Sequence, residues 1–367
     1  MMNRIKLFNN TFCKLRFCSA KFLLKTFMLF PLALCAHGVA AEPIQISGFF
    51  STGVTNVDTE NIVLTAKNIE RKTNYLADTV FGLQLDSLLS NEARFSAQLV
   101  AKDKSNSFNL EAEWLFISYQ LSQNYELRAG RLRIPLFLTS ETILVGQSYN
   151  WVRPPLELYT LDSGLSQYNG FSTIHSVVLG QASIETEFYI GQTVGEINIL
   201  GLDAEFSSDH LYGAQFSYST DNLIFRASRA EFTANIAGLA LSTSASFSVL
   251  GGSYLYGNWG VVSEVGRMKT EGLGRTTAYY LTLFYNYDRI MPLFTYGANK
   301  TSLSSASHKG DSLSLGVKYN FNETASMKTE VLYGELLDGR SLLIGGSLIP
   351  GFDEKVTMYS MTLNLIF

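Results

Sequence analysis

From residue 42 onward, apolar and polar side chains alternate with a period of two in segment after segment. A strand sends successive side chains to opposite faces, so such segments read as sheet with one apolar and one wet face. In 92–103, Ala93, Phe95, Ala97, Leu99 and Ala101 share one face, opposite Glu92, Arg94, Ser96, Gln98 and Lys102. In 311–321, Leu313, Leu315, Val317, Tyr319 and Phe321 oppose Ser312, Ser314, Lys318 and Asn320. In 182–192, Ala182, Ile184, Thr186, Phe188 and Ile190 oppose Ser183, Glu185 and Glu187. A soluble sandwich alternates too, but over shorter strands and with more charge on its wet side. Here charged residues make up only 16% of the chain and aromatics 13%.

The pattern predicts sixteen strands, at 44–57, 75–88, 92–103, 111–121, 125–133, 167–179, 182–192, 211–218, 223–231, 246–256, 259–268, 276–287, 290–299, 311–321, 325–335 and 354–367. Connections alternate between short turns, such as Leu89-Ser90-Asn91 and Asn322-Glu323-Thr324, and long loops at 58–74, 193–210, 232–245 and 336–353. That is the arrangement of a membrane barrel, with turns at one end and loops at the other. An even number of antiparallel strands lets the last pair with the first, and in lipid no edge can stay open. Eight strands fill their own interior, whereas about sixteen leave an aqueous lumen. The predicted fold is all-β, a sixteen-stranded antiparallel transmembrane β-barrel over residues 42–367.

Residues 1–41 read differently. Arg4, Lys6, Lys14, Arg16, Lys21 and Lys25 precede the first acid, Glu42. An apolar stretch over 28–36 and the small residues Val39-Ala40-Ala41 follow, which is the pattern of a signal peptide cleaved after Ala41. Its removal takes Cys13, Cys18 and Cys35 with it, leaving no thiol for a disulfide, a nucleophile or a metal. It also takes six cations from 28, leaving 22 basic residues against 32 acidic ones, a net charge of about −10. That balance excludes nucleic-acid binding through a basic surface.

The longest connection, 134–166, carries Ile134-Pro135-Leu136-Phe137-Leu138-Thr139-Ser140-Glu141 and Trp151-Val152-Arg153-Pro154-Pro155-Leu156-Glu157-Leu158-Tyr159. It is too apolar for a loop wholly in water. The expectation is an in-folded third extracellular loop, with Leu136, Phe137, Leu138, Trp151 and Tyr159 against the inner wall. The alternative is an external loop packed on itself or on a neighbouring subunit. The strand leading into it places Tyr125, Leu127 and Ala129 toward lipid and Glu126 and Arg128 toward the lumen. Strict alternation would put Arg131 and Arg133 into lipid, at high cost. A bulge at Gly130 would reset the phase and bring both to water; otherwise they sit at headgroup level. The candidate constriction is Arg128, Arg131, Arg133, Glu141, Arg153 and Glu157. Around it, the wall is expected to mix Arg94, Lys102, Arg226, Arg267, Lys318 and Lys328 with Glu111, Glu113, Glu185, Glu187, Glu264 and Glu330.

Two stretches carry a family resemblance. Tyr359, Met361, Leu363, Leu365 and the terminal Phe367 alternate with Ser360, Thr362 and Asn364. This resembles the assembly signal of bacterial outer-membrane barrels, and its residues would be Tyr359, Leu363, Leu365 and Phe367. The run from Arg128 to Phe137 resembles the Gly-basic-x-basic-x-Pro segment after the fifth strand of Gram-negative porins, of the phosphate-selective and general porin-like groups. The resemblance implies a homotrimeric outer-membrane channel for small hydrophilic solutes and ions, whose third loop sets the eyelet. It also implies outer-membrane lipid and the barrel assembly machinery as partners, and no cofactor. In the phosphate-selective members lumen cations hold oxyanions. The wall carboxylates named above depart from that pattern, so oxyanion specificity is the alternative rather than the expectation.

Some outer-membrane barrels are hydrolases, but the inventory here is thin. His175, His210 and His308 are the histidines after the leader. Ser176 adjoins His175, yet neighbours on a strand face apart. Asp209-His210 is an isolated pair, and three scattered histidines make no metal site. Gly251-Gly252 and Gly345-Gly346 suit strand bends better than phosphate loops. The sequence is therefore read as a channel rather than an enzyme.

Overall fold

A computed structural model describes residues 44–58, 73–104, 107–161, 165–199, 202–236, 241–272, 274–303, 307–334 and 356–367. The leader expected at 1–41 and the Gly345-Gly346 pair lie outside the described residues. Sixteen strands follow in chain order: β1 Gln45–Val57, β2 Val80–Leu88, β3 Ala93–Lys104, β4 Ser107–Ser122, β5 Tyr125–Arg133, β6 Gln167–Leu179, β7 Ala182–Ile199, β8 Leu202–Ser219, β9 Leu223–Ile236, β10 Leu241–Tyr256, β11 Trp259–Thr270, β12 Gly274–Tyr285, β13 Ile290–Leu303, β14 Ser307–Asn320, β15 Ala325–Gly334 and β16 Val356–Ile366. Each pairs antiparallel with its sequence neighbours, and β16 closes the ring on β1 from Phe49↔Ile366 to Val57↔Met358. Phe367 extends the seam, since its N–H donates to the Gly48 carbonyl and its own carbonyl accepts from Gly48.

The two faces of the wall are those the alternation predicts. On β14, Leu313, Leu315 and Val317 are exposed while Ser312, Ser314 and Lys318 are buried. On β16, Tyr359, Met361 and Leu363 are exposed while Ser360, Thr362 and Asn364 are buried. The exposed set forms an apolar belt around the outside. At the end with the short turns it is rimmed by exposed aromatics, among them Tyr125, Tyr256, Trp259, Tyr287, Phe321 and Phe367.

Differences of more than two residues from the predicted strands are confined to the loop end. Parts of the two stretches expected as loops, 193–199, 202–210, 232–236 and 241–245, continue as strand: β7 and β8 pair out to Ile199↔Leu202, and β9 and β10 out to Ile236↔Leu241. The first stretch is more polar and the second is rich in Ala, Ser and Thr, so the alternation weakens before the backbone pairing does. Irregularities at Gly191/Thr193 and Ser207/Leu211 also break the phase there. Conversely, 75–79 is a turn before β2, in which the Asn74 side chain accepts from the N–H groups of Leu76 and Ala77. Short polar side chains capture backbone donors in this way and compete with the sheet ladder.

Candidate functional site

Residues 134–161, between β5 and β6, hold the chemistry of the interior. Their backbone has few regular hydrogen bonds of its own: 3-10 turns at Ser140–Thr142 and Gly146–Ser148 and one helical turn, α1, at Leu156–Tyr159. Such a segment must find partners elsewhere. The Leu136 carbonyl accepts from Ser228 of β9 at 2.5 Å, and the Phe137 carbonyl from Arg226 at 2.6 Å. Arg153 donates to Thr55 of β1, to Asp78 and to Ser360 of β16. β9 and β1 lie on opposite sides of a sixteen-strand ring, and only the interior reaches both.

Between those ends the segment is tied to the arc β11–β16. The Leu138 N–H and the Tyr159 and Tyr280 hydroxyls all donate to Glu264 of β11, at 2.9, 2.5 and 2.8 Å. The Trp151 indole donates to Thr282 and Thr295 on β12 and β13. Ser312 donates to the Glu157 carboxylate. Lys318 donates to the carbonyls of Gln147 and Tyr149, and Lys328 to those of Gly146 and Trp151. The Lys328 ammonium also stands 4.0 Å over the Tyr149 ring. Each ammonium thus satisfies loop carbonyls that have no ladder partner. Among the described residues, 134–161 makes no hydrogen bond to a side chain of β2–β8.

Packing reinforces this seat. Leu136, Phe137, Trp151, Leu158 and Tyr159 join inward side chains of the wall, including Phe247, Val249, Met268, Tyr280 and Leu293, in one apolar cluster. Gly266 makes room for it, since a Cβ there would stand 2.5 Å from Leu158 Cδ1. Burial raises the Glu157 carboxyl above its usual range and the Tyr159 phenol well above its own.

The six candidate residues separate into three groups. Arg128 faces inward between Ser118 and Ser172, bonded to Glu126 at 2.6 Å and stacked 5.5 Å from the Phe116 ring. Glu141 reaches across from the loop to Arg226 at 2.9 Å. Glu185 and Glu187 are electrostatic neighbours of Arg128, and Glu187 also senses Glu141. Arg153 and Glu157, only 6% and 2% exposed, are instead buried where the loop meets the wall.

Arg131 and Arg133 form the third group. No bulge occurs at Gly130: its φ of +137° is one that glycine alone adopts easily, but pairing runs unbroken through Phe116↔Gly130 and Gly130↔Gly170. Leu132 points inward, and Arg131 keeps the phase of Leu127, opposite exposed Leu115. At the loop end of β5, Arg131 bonds Gln167 and Arg133 bonds Glu113. The register shift sits one hairpin away, where β4 inserts Glu113 between the partners of Gln98 and Leu99. Arg267 is a second correction. It was expected on the lumen wall, but it is three residues from Glu264 and cannot share its face without a bulge. Glu264 takes the inward side and Arg267 is exposed outside.

Asp78 was not anticipated as a partner of the loop, because it was read as part of a regular strand. His175, on the outer face near the turns, stacks on Tyr125 with centroids 4.4 Å apart.

No family model matches the sequence, and no curated protein matches it either. Solved structures do match in shape. The anion-selective porin of Comamonas acidovorans superposes with a TM-score of 0.63 at 16% identity, over 89% of this chain and 99% of that one. The chain has a Gram-negative outer-membrane porin fold. The same porin fold relates it to OmpF of Salmonella typhi, solved with daunomycin, at a TM-score of 0.59 and 13% identity over 88% of this chain and 97% of that one. It is also similar to a loop-deletion form of OmpT, an outer membrane protein of Vibrio cholerae, at 0.59 and 10% identity over 89% and 99%.

Proposed function

We propose that the protein is an outer-membrane porin, a passive water-filled channel for small hydrophilic solutes and ions. The observation that carries this reading is the one-sided seat of residues 134–161. They are hydrogen-bonded to β1, β9 and β11–β16 and make no hydrogen bond to a side chain of β2–β8 among the described residues. A passage along that arc would be lined by Glu126, Arg128, Glu185 and Glu187, with Arg226 of β9 at its edge and Glu141 opposite on the loop. In this reading Arg153 and Glu157 hold the loop in place, and Arg131 and Arg133 sit at the mouth. The apolar outer belt with its aromatic rim supports a bilayer as surroundings. Export would use the leader at 1–41, and the seam strand ending in Phe367 would serve assembly. The proposed assembly is a homotrimer.

Charge shapes the expected preference. Ring charges in a narrow, low-dielectric pore act strongly on passing ions. Four carboxylates against two guanidiniums favour cations mildly and give no array of cations for an oxyanion. No catalytic step is assigned to the interior. Liposome swelling with sugars of graded size tests the proposal: rates that fall smoothly with solute size support a general porin. Saturable uptake of one solute, or no swelling at all, would refute it.

A further inference from the structure

The outer wall carries a feature that diffusion through the lumen does not use. At the loop end of β11–β14, five exposed cations face outward: Arg267, Lys269, Arg275, Lys300 and Lys309. Each lies within three residues of the loop end of its strand. Pairing sets them in two adjacent rows. One runs Arg229, Ser248, Arg267, Thr277, Lys300, Lys309, and the other Glu231, Ser246, Lys269, Arg275, Ser302.

Two like-charge pairs are directly opposed across strands, Lys269 with Arg275 and Lys300 with Lys309. Directly opposed like charges destabilise a sheet. None of the five forms an ion pair among the described residues, although Arg267 bonds weakly to Thr277 at 3.4 Å. Nearby acids do not cancel them. Glu231 is engaged by Arg229 at 2.6 Å and by the Tyr212 hydroxyl, Asp311 lies one row closer to the turns, opposite Ala298, and Glu271 stands in the turn after β11. This positive field persists on a chain whose formal net charge is −4.

The next row toward the turns is largely apolar: Leu250, Val265, Tyr279 and Ala298. Cations and hydroxyls directly above an apolar belt match the border between headgroup and acyl chain. We infer that this patch binds the phosphate groups of anionic lipids in the leaflet at the loop end, an inference that rests on the proposed membrane setting. Phosphate supplies the missing counter-charge, and Ser246, Ser248, Thr277 and Ser302 supply donors between the cations. The lipid tails would lie on Val265, Tyr279 and Leu281.

The full-length barrel is reconstituted in vesicles of phosphatidylcholine, alone or doped with a diphosphorylated glycolipid, and lipid retention is read by native mass spectrometry after extraction. The combined variant Lys269→Gln, Arg275→Gln, Lys300→Gln, Lys309→Gln is compared with Arg289→Gln, in the turn between β12 and β13 at the other end. At roughly fivefold per basic side chain near an anionic surface, the fourfold variant should hold the doped lipid about six-hundredfold less tightly. It should still insert and conduct as the unaltered chain does, while the comparator retains the lipid. Equal retention by the fourfold variant, or equal loss in the comparator, would overturn the assignment. So would displacement of the lipid by inorganic phosphate at equal concentration, which would mean a free-anion site. Failure of the unaltered chain to insert even into phosphatidylcholine would instead overturn the membrane reading, and this inference with it.

Discussion

Consider Arg153→Met, which keeps the length of the side chain and removes its charge. Arg153 is 6% exposed and its guanidinium bonds Asp78, itself 8% exposed, together with Thr55 and Ser360. Removing one partner of a buried pair leaves the other charge without compensation, at a cost of about 3–5 kcal/mol. In the water-filled lumen proposed above, the lower figure is the better guide. About 3 kcal/mol corresponds to roughly a hundredfold shift from the docked toward the released loop. Single-channel recording should then show a larger and noisier open state, and denaturant titration a lower midpoint. Adding Asp78→Leu should recover much of the loss, because replacing both members by apolar groups removes the stranded charge. The cycle should give a coupling of about 2–3 kcal/mol. Additive effects, or single-variant costs within about 0.5 kcal/mol as at an ordinary surface site, would refute Arg153 as the loop's anchor.

Three other expectations follow from the same geometry. Gly266→Val drives a branched side chain into Leu158 and should cost about 1–3 kcal/mol in denaturant titration while unseating α1. Burial holds the Glu157 carboxyl above its usual value, so its contribution is fully present below the unfolded value and is lost as pH rises through the folded one. Glu157→Gln should therefore stabilise the docked loop relative to the unaltered chain at neutral pH, with the difference vanishing in acid; a difference independent of pH would contradict this. Arg128→Glu should move the reversal potential in a salt gradient further toward cations, and Glu141→Gln should move it back.

How much of this was legible in the sequence depends on how local each signal is. Strand phase depends on neighbours two residues away, so β14 and β16 could be read directly from Leu313 to Phe321 and Tyr359 to Phe367. The apolar residues of 134–161 likewise announced a covered loop, and Glu264, Lys318 and Lys328 were rightly placed on the inner wall. Long-range choices were not legible. Whether Gly130 shifts the register is decided by β4 and β6, which pair across it without a break. Arg267 was misplaced because Glu264 had the stronger claim to the interior, through Tyr159 and Tyr280. Asp78 was missed since its partner is 75 residues away in sequence.

The most direct test uses one hairpin-adjacent pair of positions on β5. Residues 42–367 contain no cysteine, so in that part of the chain Glu126→Cys and Leu127→Cys each introduce a single thiol. The two side chains face opposite sides of the wall, one into the lumen and one outward. In a planar bilayer both variants should conduct, and a charged thiol reagent should step the current down for Glu126→Cys and leave Leu127→Cys unchanged. No current from either, or identical responses from both, would contradict a water-filled path through the barrel.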